Sequence, residues 1–474
     1  MAERQRFEKL ISRRQPIHQW FFERPHVSRR TFFRDSLTGV GGFFLANRTA
    51  SAATETTGSV TPQNSAKTVI FLFMRGAPSH VDLFDFKDHT GVTPLDFAPE
   101  TFSGVTLPTG LLGNTARVID KIAIIRSGLA WARAHPLAQT WLQIGRSPAS
   151  ATGRIAPHIG SVVAIEKEPE RLPGQAFPAF ISLQARKISG AGYLPSEFGP
   201  FQTFASADGL ANASHPGGME RFADRWNLLQ ETDGALRGTN SPLGPQASAM
   251  GKFYEGARRL MQSPAVDSAF GFTPEESARY GGSGFGNAVL TARKIVEQDQ
   301  GTRFIQVESN GWDHHADIYV DGDNGNNLYR RTREFDPAFA ALIEDLDRSG
   351  KLDETLVVAC GEFGRTPGPL SAGRNGRDHY LQMFFVLAGG GVQGGQVIGA
   401  TNDRGGRGPG SFTTEFGWSR DRDIRPEDLE ATIYSALGID WTTVRYDDPL
   451  GRGFYYVPVS DDDAYAPVDE LFAA

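Results

Sequence analysis

Thr68-Val69-Ile70-Phe71-Leu72-Phe73-Met74 is a continuous apolar run, and Arg75-Gly76-Ala77-Pro78-Ser79-His80-Val81-Asp82 follows it directly. A strand exposed on one face would alternate apolar and polar residues. An unbroken run closed by a Gly/Pro turn predicts a strand buried on both faces, as in a parallel sheet. Similar runs recur at Ile122–Ile125, Ala179–Leu183, Phe304–Val307, Leu356–Ala359 and Met383–Leu387. Between them lie helix-like stretches at Pro136–Ile144, Ala288–Glu297 and Arg330–Ser349. In the last, Phe335, Phe339, Leu342, Ile343 and Leu346 keep helical spacing, with acids on the other face. Strands alternating with helices predict an α/β protein with a doubly wound, mostly parallel sheet and helices on both faces. Pro426–Leu437 reads as a last helix, and no internal repeat is apparent.

In such sheets ligands bind beyond the carboxyl ends of the strands. Three polar motifs sit there. The first is Arg75–Asp82, in which Arg75 can face an anion and Ser79, His80 and Asp82 can contact substrate or metal; a turn capped by Ser79 and Asp82 is the structural alternative. The second is Gly311-Trp312-Asp313-His314-His315, after the run ending at Val307. Asp313 and one histidine can ligate an ion there, and Trp312 needs an apolar seat. The third is Gly361-Glu362-Phe363-Gly364-Arg365-Thr366-Pro367, continued by Gly376-Arg377-Asp378-His379-Tyr380. Glu362, directly after a buried strand, must be paired or bind a metal, and Arg365 is its nearest partner. Asp378 and His379 form a ligand pair. Carboxylates and imidazoles gathered at strand ends suit a divalent-metal hydrolase.

Composition narrows the classes. The chain has 474 residues with 39% hydrophobic and 22% charged residues, enough for one large soluble domain or two smaller ones. Its 54 glycines and 28 prolines predict long loops, above all in a loop-rich insertion or cap at about 189–285. A net charge of -7, with no basic helix, argues against nucleic-acid binding. The single cysteine, Cys360, excludes a disulfide framework and cysteine-rich metal sites, and its place in an apolar run suits packed core. Gly-x-Ser-x-Gly, His-Glu-x-x-His and Walker motifs are missing from the sequence.

Ser28-Arg29-Arg30-Thr31-Phe32-Phe33-Arg34 resembles a twin-arginine export signal. A weakly apolar stretch from Leu37 to Ala46 and the small-residue triplet Ala50-Ser51-Ala52 follow it. Basic, apolar and small-residue regions stand in the right order, with Asp35 a mild departure. The expectation is an export signal and linker over residues 1–67, followed by a single domain over 68–474. The protein would then be periplasmic or secreted by the twin-arginine machinery, with no membrane span in its mature form.

Taken together, the leader, Gly-Ala-Pro-Ser-His-Val-Asp, Gly-Trp-Asp-His-His, Gly-Glu-Phe-Gly-Arg-Thr-Pro and Gly-Arg-Asp-His-Tyr resemble the bacterial domain of unknown function 1501 family over nearly the whole chain. That family usually has Gly-Trp-Asp-Thr-His, so His315 matches its histidine and His314 replaces a threonine. The family is grouped with the alkaline phosphatase and sulfatase superfamily, so the resemblance implies that α/β core and a hydrolase-like site. Arylsulfatases carry Cys-x-Pro-Ser-Arg, whose cysteine becomes formylglycine. His135-Pro136-Leu137-Ala138-Gln139, with Ile144-Gly145-Arg146, resembles that segment in spacing, and His135 falls at the nucleophile's place. His135 could be a nucleophile, an acid/base or a structural residue. The superfamily's Asp pair at the first strand end is replaced by Arg75-Gly76, and its later Asp-His by Glu362-Phe363. That leaves one ion, or none.

Two functions follow as expectations. One is a metal-dependent hydrolase of phosphate or sulfate esters, acting on a small anionic ester or a sulfated or phosphorylated glycan. His80, Asp82, Asp313, His315, Glu362, Asp378 and His379 would be its candidate ligands for a zinc, calcium or manganese ion. His135 or Ser79 would do the chemistry, and Arg75 or Arg365 would steady the anion. The other is a non-catalytic periplasmic binding or assembly protein on a degenerate hydrolase fold.

Overall fold

The computed structural model of the chain describes residues 54–56, 60–238, 241–322, 326–407, 417–420, 422–459 and 464–472. The predicted export signal lies outside the described residues. The chain divides into two compact units, and the one formed by Glu55–Val444 with Asp448–Ala474 holds every element named below.

Its centre is an eight-stranded sheet built from β1 (Thr68–Arg75), β2 (Ile122–Leu129), β3 (Phe180–Leu183), β4 (Phe201–Thr203), β5 (Phe304–Asn310), β6 (Thr355–Cys360), β7 (Gln382–Ala388) and β8 (Gln396–Ile398). The spatial order is β8-β2-β7-β6-β1-β5-β3-β4. β1 lies between β5 and β6 and runs parallel to both, with Val69 opposite Phe304 and Leu356. β7 is antiparallel to both its neighbours, β2 and β6. All other pairings are parallel.

Strand β1 is buried from Val69 to Met74. Its pleat sends Ile70, Leu72 and Met74 into one core and Val69, Phe71 and Phe73 into another. On the first face pack α5 (Gly284–Gln298) and α6 (Leu328–Arg348), the latter through Phe335, Phe339, Leu342, Ile343 and Leu346. On the second pack α1 (His135–Ile144), α2 (Ile159–Lys167) and α7 (Pro426–Ala436). The fold is therefore a doubly wound, mostly parallel α/β sheet with helices on both faces. Cys360 is buried, and burial pushes its thiol well above the usual range.

Residues 189–285 interrupt the strand–helix alternation. They hold the edge strand β4 and two longer helices, α3 (Gly218–Arg237) and α4 (Pro245–Gln262), joined by loops. Among its described residues α3 buries none. No helix among the described residues is long and apolar enough to cross a membrane.

The reversed strand matters for the site. The chain leaves β6 at its carboxyl end and forms a two-stranded ribbon, Gly364–Arg365 against His379–Tyr380. It then enters β7 from that same edge. Everything between residues 361 and 381 is thereby held over the carboxyl ends of β1, β5 and β6.

Candidate metal centre

Four side chains meet at this edge. One ligand atom from each of His135, Asp313, His315 and His379 lies within 4.8 Å of the other three. Asp313 and His315 come from the turn after β5, His379 from the ribbon, and His135 from the first turn of α1. Trp312 anchors the β5 turn, fully buried with its indole N–H donating to Ser309 Oγ at 3.0 Å. At Gly76 (φ 111°) a Cβ would stand 2.7 Å from the Asp313 nitrogen, so only glycine lets the β1 and β5 turns touch. Gly376 does the same for the ribbon, where a Cβ would meet the His315 carbonyl carbon at 2.1 Å.

Each imidazole has its Nδ1 on an acceptor. His135 Nδ1 is 2.6 Å from Glu362 Oε1, His315 Nδ1 is 3.0 Å from Asp378 Oδ1, and His379 Nδ1 is 2.5 Å from the Arg133 carbonyl oxygen. The carbonyl only accepts, so His379 carries its proton on Nδ1. The Nε2 atoms therefore face one another and Asp313. His315 Nε2 lies 2.8 Å from His379 Nε2, and Asp313 Oδ1 lies 3.2, 3.1 and 3.8 Å from the Nε2 atoms of His135, His315 and His379. His135 Nε2 is buried, with Asp313 Oδ1 as its near neighbour. Ligand-type atoms converging in this way call for a shared cation or shared protons. Zinc bonds of about 2.0–2.1 Å in tetrahedral array separate ligand atoms by about 3.3 Å. The donor types suit such an ion, and the separations of 2.8, 3.1 and 3.2 Å around His315 Nε2 and Asp313 Oδ1 are close to that spacing.

Arg365 braces the centre from below, with no exposed side-chain surface. It donates from Nη2 to Asp313 Oδ1 (2.5 Å), from Nε to the Ala77 oxygen (2.9 Å) and from Nη1 to the Arg377 oxygen (3.1 Å). Burial pushes the Asp313 carboxyl up, but His135 and Arg365 outweigh it and hold it well below the usual carboxylate range. Burial likewise pulls His135 down, and the Asp313 and Glu362 carboxylates more than reverse that, raising it to about 9. His379 is lowered by burial and then by the charge of Arg365.

Glu362 lies behind His135, its side chain fully buried. It accepts from the backbone N–H groups of Gly76 (3.1 and 3.2 Å) and Ala77 (3.2 Å), and from Gln139 Nε2 (2.8 Å). No sequence expectation singles out Gln139, although its spacing of four from His135 puts both on one helix face.

Residues 66–459 match the family model described as "Protein of unknown function (DUF1501)". The chain belongs to that family. No curated protein matches it. Among solved structures, Ps i-CgsB in complex with k-i-k-neocarrahexaose is 11% identical, with 80% of this chain and 72% of that one covered and a TM-score of 0.39. A sulfatase from Pseudoalteromonas sp. is 12% identical over 80% and 68%, at 0.37. A protein in the alkaline phosphatase superfamily from Vibrio parahaemolyticus is 11% identical over 80% and 69%, at 0.35.

Of the residues singled out in the sequence of this DUF1501 member, the structure brings together Asp313, His315 and His379, with His135 beside them. Glu362 and Asp378 stand one bond further out, each on an imidazole Nδ1. Others lie elsewhere on the same edge. Asp82 pairs with buried Arg377 at 2.9 and 3.2 Å and accepts from Tyr319 Oη at 2.7 Å. His80 is buried against the Gly405 oxygen (2.7 Å), and burial lowers it. Arg75 pairs with Glu308 at 2.7 Å. Ser79 is buried with no hydrogen-bond partner for Oγ. His314, likewise fully buried, is lowered by burial to about 3, so it stays neutral and outside the cluster.

Proposed function

We propose that this chain is an exported metal-dependent hydrolase of phosphate or sulfate esters, with one divalent ion held by His135, Asp313, His315 and His379. The observation that carries the reading is the convergence of three Nε2 atoms on Asp313 Oδ1, each ring backed by an acceptor at Nδ1. Three imidazoles favour zinc, then manganese, over calcium, which prefers an all-oxygen shell. When bound, such an ion supplies Lewis-acid polarisation of an ester oxygen or a water.

The chain's own groups do the rest. Arg365 fixes Asp313 and offsets its charge. His315 and Asp313, partly exposed, form the open side of the centre, where substrate would arrive. Exposed Arg133, two residues before His135 on the same loop, adds a cation that suits an anionic ester, either small or on a sulfated or phosphorylated glycan. The twin-arginine-like leader over residues 1–67 supports a periplasmic or secreted location for the domain from residue 68.

Chelator-treated full-length protein should regain hydrolysis of an aryl phosphate or aryl sulfate on addition of zinc or manganese. His315→Ala should lose more than the about 10–100-fold typical of an outer-shell partner. Turnover that ignores both metal and this variant would refute the assignment. One observation favours a second reading, a non-catalytic binding or assembly protein. All four ligand atoms come from the protein, as in structural metal sites. Stoichiometric metal without turnover of either ester would select it.

A further inference from the structure

We infer that Glu362 is a positioning residue that holds His135 as the Nδ1–H tautomer, and that it is not itself a ligand. The inference rests on the metal-centre reading above. The evidence is the saturation of its carboxylate. Oε1 takes the Gly76 amide, His135 Nδ1 and Gln139 Nε2, and Oε2 takes the Gly76 and Ala77 amides. A carboxylate offers about four lone-pair sites, so these five contacts leave none to turn toward the Nε2 cluster.

The backbone is shaped for this purpose. Gly76 and Ala77 both have positive φ (111° and 65°), and the turn they make aims two successive amides at one carboxylate. Ala77 is left-handed without being glycine, a strained conformation that points to a constrained functional turn. Glu362 is thereby locked before any ion arrives, and the nearest hydrogen it can accept from the α1 imidazole is on Nδ1. His135 Nε2 is left on the other side of the ring, buried and 3.2 Å from Asp313 Oδ1. Asp378 on His315 and the Arg133 carbonyl on His379 repeat the arrangement with exposed or main-chain acceptors. Glu362 differs in being wholly buried, so water cannot substitute for it.

Two measurements test this. Zinc titration of the chelated full-length chain, compared with Glu362→Gln, should show affinity about 10–100-fold weaker in the variant, the usual cost of losing an outer-shell partner. Equal affinities would overturn the inference while leaving the metal centre intact. Failure of the unaltered protein to bind zinc would instead overturn the metal reading itself. Should Glu362→Gln not fold, ¹⁵N-histidine NMR of the zinc-loaded unaltered protein decides. The expected spectrum has His135 protonated at Nδ1 and coordinated through Nε2, and coordination through Nδ1 would overturn the inference.

Discussion

Two acid–base clusters share one edge of the sheet, and they differ in where the positive charge comes from. Around Asp82 the chain supplies it. Arg377 binds both carboxylate oxygens, Tyr319 donates to Oδ1, and neither Asp82 nor Arg377 has exposed side-chain surface. Around Asp313 the chain also supplies Arg365, yet three more Nε2 atoms crowd the same oxygen. The first cluster is complete in itself, so its role is to hold Arg377–Tyr380 in place. The second gathers four ligand-type atoms within 4.8 Å of one another, and the role proposed for it is to hold an ion. A carboxylate near a histidine in sequence is therefore ambiguous until the donors around it are counted.

The largest expected effect falls on the closed cluster. Arg377→Met strands Asp82 in the core, and breaking a buried pair costs about 3–5 kcal/mol. Denaturant unfolding should show that loss with zinc absent. A loss below about 1 kcal/mol would mean that the pair behaves as an exposed one and the contrast fails.

The open cluster should respond in the opposite way. His379→Ala should change metal-free stability little, but zinc at 100 times its dissociation constant should stabilise the unaltered protein by about 2.7 kcal/mol and the variant not at all. Thermal or denaturant melts with and without zinc measure the difference. Equal stabilisation of both would place the ion elsewhere.

A third, smaller effect separates both clusters from an ordinary buried histidine. His158 is fully buried, with Nε2 2.9 Å from Gln306 Oε1 and Nδ1 accepting the Gly160 N–H at 2.9 Å. Burial lowers it to about 3. Since the folded value lies below the unfolded one, the unfolded chain binds the proton first. Stability is full above about pH 6.5 and falls as pH drops toward 3, by about 2 kcal/mol at pH 5. His158→Gln should remove that share of the acid slope. An unchanged slope would show that His158 takes up its proton while folded.

Much of the fold was legible because burial on both sides of a parallel sheet leaves unbroken apolar runs, as at Thr68–Met74 and Thr355–Cys360. The reversal of β7 was not, since Met383–Leu387 looks the same in either direction. The reversal follows from the ribbon that turns the chain back over the edge. Asp313, His315 and His379 stand out in sequence because they follow such runs. The division of labour among Glu362, Asp378 and His135 does not. Ligand and outer-shell carboxylates have the same chemistry, and only the two amides at Gly76–Ala77 and the Nδ1 contacts tell them apart. Asp82 likewise shows its role only when Arg377, nearly 300 positions later, is folded against it.

The most direct test is X-ray absorption at the zinc edge on the full-length chain loaded with one equivalent of zinc. The account predicts a first shell of three imidazole nitrogens and one carboxylate oxygen, falling to two imidazoles in His135→Ala. A shell made mainly of oxygen, or one unchanged by that substitution, would contradict it.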